Sequence, residues 1–243
     1  LAIVSCLPLN GRADEVRVAV ATNFIEVMEA LVLNFERASG HEVILSSGAT
    51  GKLYAQIRNG APFDLFFAAD ERRPALLEQE GVALPGSRFT YARGELVLWS
   101  PQQDLIADGP GVLRQASFGY LAIANPKTAP YGRAAEQTLA RLGLWEQLQD
   151  RLVRGENIGQ AHQYVHSGNA ALGFVAKSQV YRDGHYAAGS HWAVPAELYA
   201  PIVQQVVQLQ PGEAAEALLE YIASAEARLL IERHGYSAFV EGD

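Results

Sequence analysis

The sequence has one cysteine, Cys6, so no disulfide can form within the chain. Basic residues are scarce: 19 Lys and Arg stand against 27 Asp and Glu, a formal net charge of −8. No basic run occurs, which argues against a nucleic-acid or acidic-membrane partner. An anion held by this chain must be held by neutral dipoles and hydrogen bonds more than by net charge. Beyond the N-terminus no segment approaches the ~20 apolar residues of a membrane span. Internal repeats and low-complexity tracts are also missing. Charged residues make up 19% and hydrophobic residues 49% of the 243, a globular composition with enough chain for a large core and two lobes.

Signatures of enzyme chemistry are lacking too. There is no G-x-S-x-G elbow for a serine hydrolase. His162 and His166 stand four apart on an expected helix, but Gln163 takes the place of the glutamate a zincin needs, so two ordinary histidines are expected. Gly48–Ala49–Thr50–Gly51–Lys52 imitates a phosphate loop, yet Ser46 and Leu53 stand where that motif needs glycine and a hydroxyl. Asp64 and Asp70 read as turn and capping residues rather than a metal pair, since no third ligand is near in sequence. No catalytic residue and no metal ligand is assigned, which favours a binder over an enzyme.

What the chain does have is one junction repeated four times. Residues 16–21 alternate Val and Ala around Arg17, a buried strand that runs into a helix through Thr22 and Asn23. Thr22 or Asn23 fits the N-cap, with Glu26 three residues after Asn23 as in a capping box, and Phe24, Val27, Met28, Leu31 and Phe35 keep helical spacing up to Gly40. A strand over 41–46 leads through a small-residue turn into a helix over 52–58, with Thr50 as its cap. A strand over 120–124 precedes Pro130, which suits a first helical turn and leaves the N–H groups of Tyr131 and Gly132 unpaired. A strand over 151–155 leads through residues 156–159 into a helix over 160–166. Taken singly, each is an ordinary capped helix. Together, two in each half, they suggest an anion cleft between two lobes, because helix N-termini present unpaired N–H groups.

The remaining elements extend the βαβα order of an α/β protein with largely parallel sheets. Strands are expected over 64–69, 95–99 and 170–176. Residues 101–117 read as a loop. Residues 192–209 are mostly extended, and Pro195 and Pro201 suit a crossing segment or edge strand. Residues 213–234 read as two helices meeting near Ser224. Residues 1–13 read as the remnant of a secretory signal cleaved after Ala13, ahead of lipidation at Cys6 or a plain leader.

At these junctions the chain resembles the periplasmic molybdate-binding proteins of ABC transporters. The segments that carry the resemblance include Ala21–Thr22–Asn23–Phe24, Ser46–Ser47–Gly48–Ala49–Thr50–Gly51, Phe66–Phe67–Ala68–Ala69–Asp70, Ala129–Pro130–Tyr131–Gly132, Gly159–Gln160–Ala161–His162, Leu172–Gly173–Phe174–Val175 and Ala200–Pro201–Ile202–Val203, in order from about residue 16 to 236. The Thr–Asn pair looks like a subgroup that binds molybdate and tungstate. The resemblance implies the type II periplasmic-binding-protein fold: residues 14–93 and 195–243 in one lobe, 94–194 in the other, and two crossing strands between. It implies contacts to the oxyanion from Thr22, Asn23 and Thr50 and from the backbone N–H groups of Tyr131 and Ile158. Thr50 stands where relatives often have serine, and Ala176 where some present a tyrosine hydroxyl. It further implies a periplasmic monomer without cofactor, whose ligand is molybdate or tungstate and whose partner is a membrane permease. Sulfate or thiosulfate is the alternative ligand, with the sensing half of a regulator or a phosphatase-like enzyme further behind.

Overall fold

The computed structural model describes residues 14–237. The expectations for the leader and for Cys6 lie outside the described residues. Two five-stranded sheets, each flanked by helices, make up the protein. The first is built from β1 (Glu15–Ala21), α1 (Ile25–Ser39), β2 (Glu42–Gly48), α2 (Thr50–Arg58), β3 (Leu65–Ala68), α3 (Arg72–Gln79) and β4 (Phe89–Gly94). The chain then passes through Glu95 into β5 (Leu96–Ser100), the first strand of the second sheet. There follow α4 (Gly111–Gln115), β6 (Leu121–Ala124), α5 (Pro130–Arg141), β7 (Leu152–Gly155), α6 (Ile158–His166) and β8 (Leu172–Ala176). A hairpin, β9 (Tyr181–Arg182) and β10 (His185–Tyr186), turns on Asp183 and Gly184, both at positive φ as a two-residue hairpin loop requires. After β11 (Ser190–Ala193) the chain returns to the first sheet as β12 (Ile202–Gln208), and α7 (Glu213–Ala223) and α8 (Ala225–Arg233) follow.

The first sheet runs β2-β1-β3-β12-β4 and the second β11-β5-β8-β6-β7. In each, three strands are mutually parallel: β2, β1 and β3 in one, β7, β6 and β8 in the other. Helices connect them, since parallel neighbours need a crossover. The periodicity expected this parallel heart but not the antiparallel strands beside it. β12 pairs antiparallel with both β3 and β4, and β5 with both β8 and β11. β12 therefore lies inside the first sheet and is no edge strand. The two prolines occupy the return crossing at 194–201, outside the ladder. The expected loop over 101–117 contains α4, a single helical turn and a half that ends at Ala116 with φ 49°.

Burial follows the sheet faces. Val16, Val18 and Val20 pack with Val27, Met28 and Leu31 of α1 and with Leu218 and Ile222 of α7. Ala19 faces the other way, toward Leu53 and Ile57 of α2 and Leu77 of α3. The second sheet has its own core around Leu98, Leu121, Ile123, Leu139, Val165 and Phe174. Sheets covered on both faces hold the ends of their parallel strands rigidly, and helices that start there inherit that rigidity. As expected, α7 and α8 meet at Ser224, whose hydroxyl accepts the Ala227 N–H at 3.2 Å.

Candidate anion site between the two sheets

The N-termini of α1 and α2, from the first sheet, and of α5 and α6, from the second, meet around one small cavity. Thr22, Asn23, Thr50, Tyr131 and Ile158 all line it. Gly48, Ala49, Ala69, Pro130 and Asn157 are among the residues that complete the wall. A wider cleft of about 160 Å³ adjoins it at Ala69, Ala129 and Pro130. There the half-buried Arg73 is already paired with Asp70, and the first residues of α3 and α5 are the helix starts in its wall.

At the first junction, Phe24 N–H closes a tight turn onto Ala21 O at 2.9 Å, and Thr22 N–H is taken by Gly48 O at 3.2 Å. Asn23 N–H, between them, has no acceptor among the described residues. Neither Thr22 nor Asn23 is the cap: α1 starts after Phe24 with no side-chain cap bond. The Asn23 side chain turns inward instead, its amide nitrogen donating to Gln204 Oε1 at 2.8 Å and to the Tyr236 hydroxyl at 3.0 Å. Both N–H bonds of that amide are therefore committed within the protein, which leaves its oxygen and the main-chain N–H of Asn23 without partners among the described residues. The Asn23 carbonyl is held in turn by the hydroxyls of Ser178 and Tyr236, at 2.9 and 2.8 Å.

At the second junction Ala49 precedes α2, and Thr50 is its first residue, one place later than a cap. Thr50 is buried, and its hydroxyl oxygen accepts the Ala69 N–H at 3.2 Å. A hydroxyl that accepts there keeps its own proton to give. Thr22 Oγ1 likewise accepts from Gly159 N–H at 3.4 Å. At the third junction Pro130 opens α5 and the N–H of Tyr131 has no acceptor among the described residues. At the fourth, Asn157 is a true cap, its side chain accepting Gln160 N–H at 2.9 Å, and Ile158 N–H is left over.

Neither a carboxylate nor a cationic side chain lines the cavity. Its one ionisable group, Tyr131, has its pKa driven well above the ordinary phenol value by burial, then by the neighbouring Tyr236, Tyr91 and Tyr199. Tyr91 and Tyr236 behind it are raised by burial as well. The phenols stay neutral, so no negative charge gathers beside an incoming anion. The cleft is shut by contacts between the two halves: Gly51 N–H donates to Thr128 O at 2.8 Å, and Lys52 pairs with Glu156 at 2.7 Å. His162 and His166 lie elsewhere on α6. Their rings are 6.0 Å apart, and burial lowers the pKa of His162. Among the described residues no cluster of three metal-binding side chains occurs, and no helix is long and apolar enough to cross a membrane.

Residues 16–237 match the family of bacterial extracellular solute-binding proteins. The chain belongs to that family. Within it, a molybdate-binding protein ModA of Azotobacter vinelandii is 52% identical over 233 residues, covering 95% of this chain and 92% of the relative. One from Rhodobacter capsulatus is 44% identical over 240 residues, covering 97% and 93%. The solved structure of an Azotobacter vinelandii periplasmic molybdate-binding protein superposes with a TM-score of 0.89 at 43% identity, covering 93% of this chain and all of the other. The fold is thus the type II periplasmic-binding architecture, and the protein is a solute-binding component of transport rather than an enzyme.

All five positions expected from the sequence line one cavity, whereas the cap expected at Thr22 or Asn23 is not formed. The sequence reading also missed Gln204, Tyr236 and Ser178, which hold Asn23 in place. Nothing local marks those three. Each becomes meaningful only through a partner more than a hundred residues away in sequence.

Proposed function

We propose that this protein binds molybdate, and tungstate as well, in the periplasm and delivers it to an ABC importer. The observation that carries the reading is a small pocket rich in free donors: the N–H groups of Asn23, Thr50, Tyr131 and Ile158 and the hydroxyls of Thr22 and Thr50. Molybdate at neutral pH is a dianion without a proton, and a donor-rich site at helix N-termini, with no carboxylate in its wall, suits it. Hydrogen phosphate carries a proton that would find no carboxylate there to accept it, and a proton left unpaired costs roughly 1–3 kcal/mol. The high identity to two proteins named for molybdate supports the choice of ion.

In this reading the two sheets are two lobes, residues 14–93 with 195–243 and residues 94–194, joined at Glu95 and across 194–201. The anion bridges them, and the closed form is what the permease recognises, a population shift driven by ligand. Burial strengthens the bonds, because the cavity excludes the water that would compete for the same donors. The protein acts as a monomer with no cofactor, and a cleaved signal carries it to the periplasm.

A thermal-shift titration of ligand-free protein with molybdate, tungstate, sulfate and phosphate tests this. At a hundred times its dissociation constant a ligand adds about 2.7 kcal/mol, roughly 5–11 °C in Tm for a chain of this length. Shifts with molybdate and tungstate alone are expected. An equal shift with sulfate would make the protein a general tetrahedral-oxyanion binder, and no shift with any of the four would end the oxyanion reading.

A further inference from the structure

Gln204 is wholly buried on β12 and does not line the cavity. A glutamine in that position costs desolvation that a methionine of similar volume would avoid, so its amide must find partners. It finds them on both sides of the cleft. Gln204 Oε1 accepts from Asn23 Nδ2 at 2.8 Å, and Gln204 Nε2 donates to the Tyr131 hydroxyl at 3.1 Å. Asn23 stands at the start of α1 on the first sheet, Tyr131 at the start of α5 on the second, and both present an unpaired main-chain N–H to the cavity. The Tyr91 hydroxyl, 3.0 Å from Gln204 Oε1 and 3.1 Å from Ala68 O, fixes the amide from the third side.

A second observation concerns Gly94, the last residue of β4 before the chain crosses to the second sheet. Its φ is not in the left-handed region, so conformation does not call for glycine. Space does: a Cβ there would run into the Tyr131 hydroxyl and into Gln204 Nε2. The strand is stripped of its side chain so that the amide and the phenol can meet.

We infer that Gln204 is a positioning residue that sets the width of the anion cavity, and thereby its size selectivity. Its amide is a strut of two hydrogen bonds between the helix starts that face each other across the ligand. It lies beside the crossings, where rotation of one half against the other displaces atoms least, so the spacing exists before closure. The inference rests on the oxyanion reading above. Donor chemistry alone cannot separate sulfate from molybdate, since both are unprotonated dianions. The difference left is size, and size is read only by a cavity that resists shrinking.

The test is calorimetric titration of wild type, Gln204→Met, Tyr131→Phe and the double variant with molybdate, tungstate and sulfate. Tyr131→Phe cuts one end of the strut and leaves the Tyr131 backbone N–H untouched, so it carries the test if Gln204→Met does not fold. The expected result is a molybdate-to-sulfate affinity ratio that narrows about tenfold in each single variant and no further in the double, because both remove the same strut. Molybdate and tungstate are nearly equal in size, so their ratio should hold. Variants that weaken molybdate and sulfate by one common factor, or weaken neither, would overturn the inference while leaving the oxyanion reading intact. A wild type that binds none of the three would overturn both.

Discussion

At Thr50 one oxygen does two jobs. It accepts the Ala69 N–H, which ties α2 to the end of β3, and it keeps a proton for the cavity. Thr50→Val preserves the shape and removes both. It should cost about 1–2 kcal/mol of stability for the stranded Ala69 N–H and weaken molybdate binding by about tenfold or more, read by denaturant melts and calorimetry. Thr50→Ser should restore both. Unchanged affinity in the valine variant would remove Thr50 from the site. Asn23→Ala has a different signature. It leaves the main-chain donor in place but takes one bond each from Gln204 Oε1 and the Tyr236 hydroxyl, so it should lower Tm as well as affinity. The sequence marks Asn23 as special through its place between strand and helix. It does not say which atoms face the ligand, because that is decided by β12 and the C-terminal segment, 181 and 213 residues away.

Among the helices, the starts matter more than the lengths. Asn157 is the one cap at the site that its own side chain provides, and Asn157→Ala should destabilise by about 1 kcal/mol, measurable by urea unfolding. α2 contributes a different device. Its second residue, Gly51, lies so close to Thr128 across the cleft that a Cβ would meet Thr128 O at 3.0 Å and the Arg73 guanidinium at 2.9 Å. Gly51→Ala should therefore hold the halves apart and weaken binding, while the urea midpoint without ligand stays near wild type; binding unchanged would show that the cleft closes without this contact. The helix starts were legible to within about two residues because apolar spacing and small polar junctions are local, although the caps expected at Thr22 or Asn23 and at Thr50 do not form. The antiparallel strands were not. The direction of β12 depends on where the return crossing lands, and a run of Val and Gln reads alike in either direction. α4 escaped notice because five residues carry too little periodicity to register.

For the whole molecule the consequence is a flat response to pH near neutrality. Tyr131 is the one titratable side chain in the cavity wall, and burial keeps it neutral. Molybdate affinity should be constant from roughly pH 6 to 9, where no wall group changes charge. A titration step in that window would mean that an ionisable group outside the wall governs binding. Stability behaves differently at the alkaline end. Tyr91, Tyr131 and Tyr236 are ordinary phenols with a pKa near 10.0 in the unfolded chain and are raised when buried. Their contribution is fully present below pH 10 and falls as pH climbs beyond it, by about 1.4 kcal/mol per pH unit for each phenol until the folded pKa is reached. Urea midpoints measured between pH 9 and 11 should drop accordingly, and more gently in Tyr236→Phe.

The contacts that seal the cleft also keep a record of it. The amides of Gly51 and Gly159 are bonded to acceptors on the opposite half, Thr128 O and Thr22 Oγ1, rather than within their own helices. Each is shielded only while the halves touch. Their deuterium uptake therefore counts openings one at a time, at natural residues and without a label. Two protons, one from each half, would report how often the empty protein shuts by itself and how far an anion lengthens each closure.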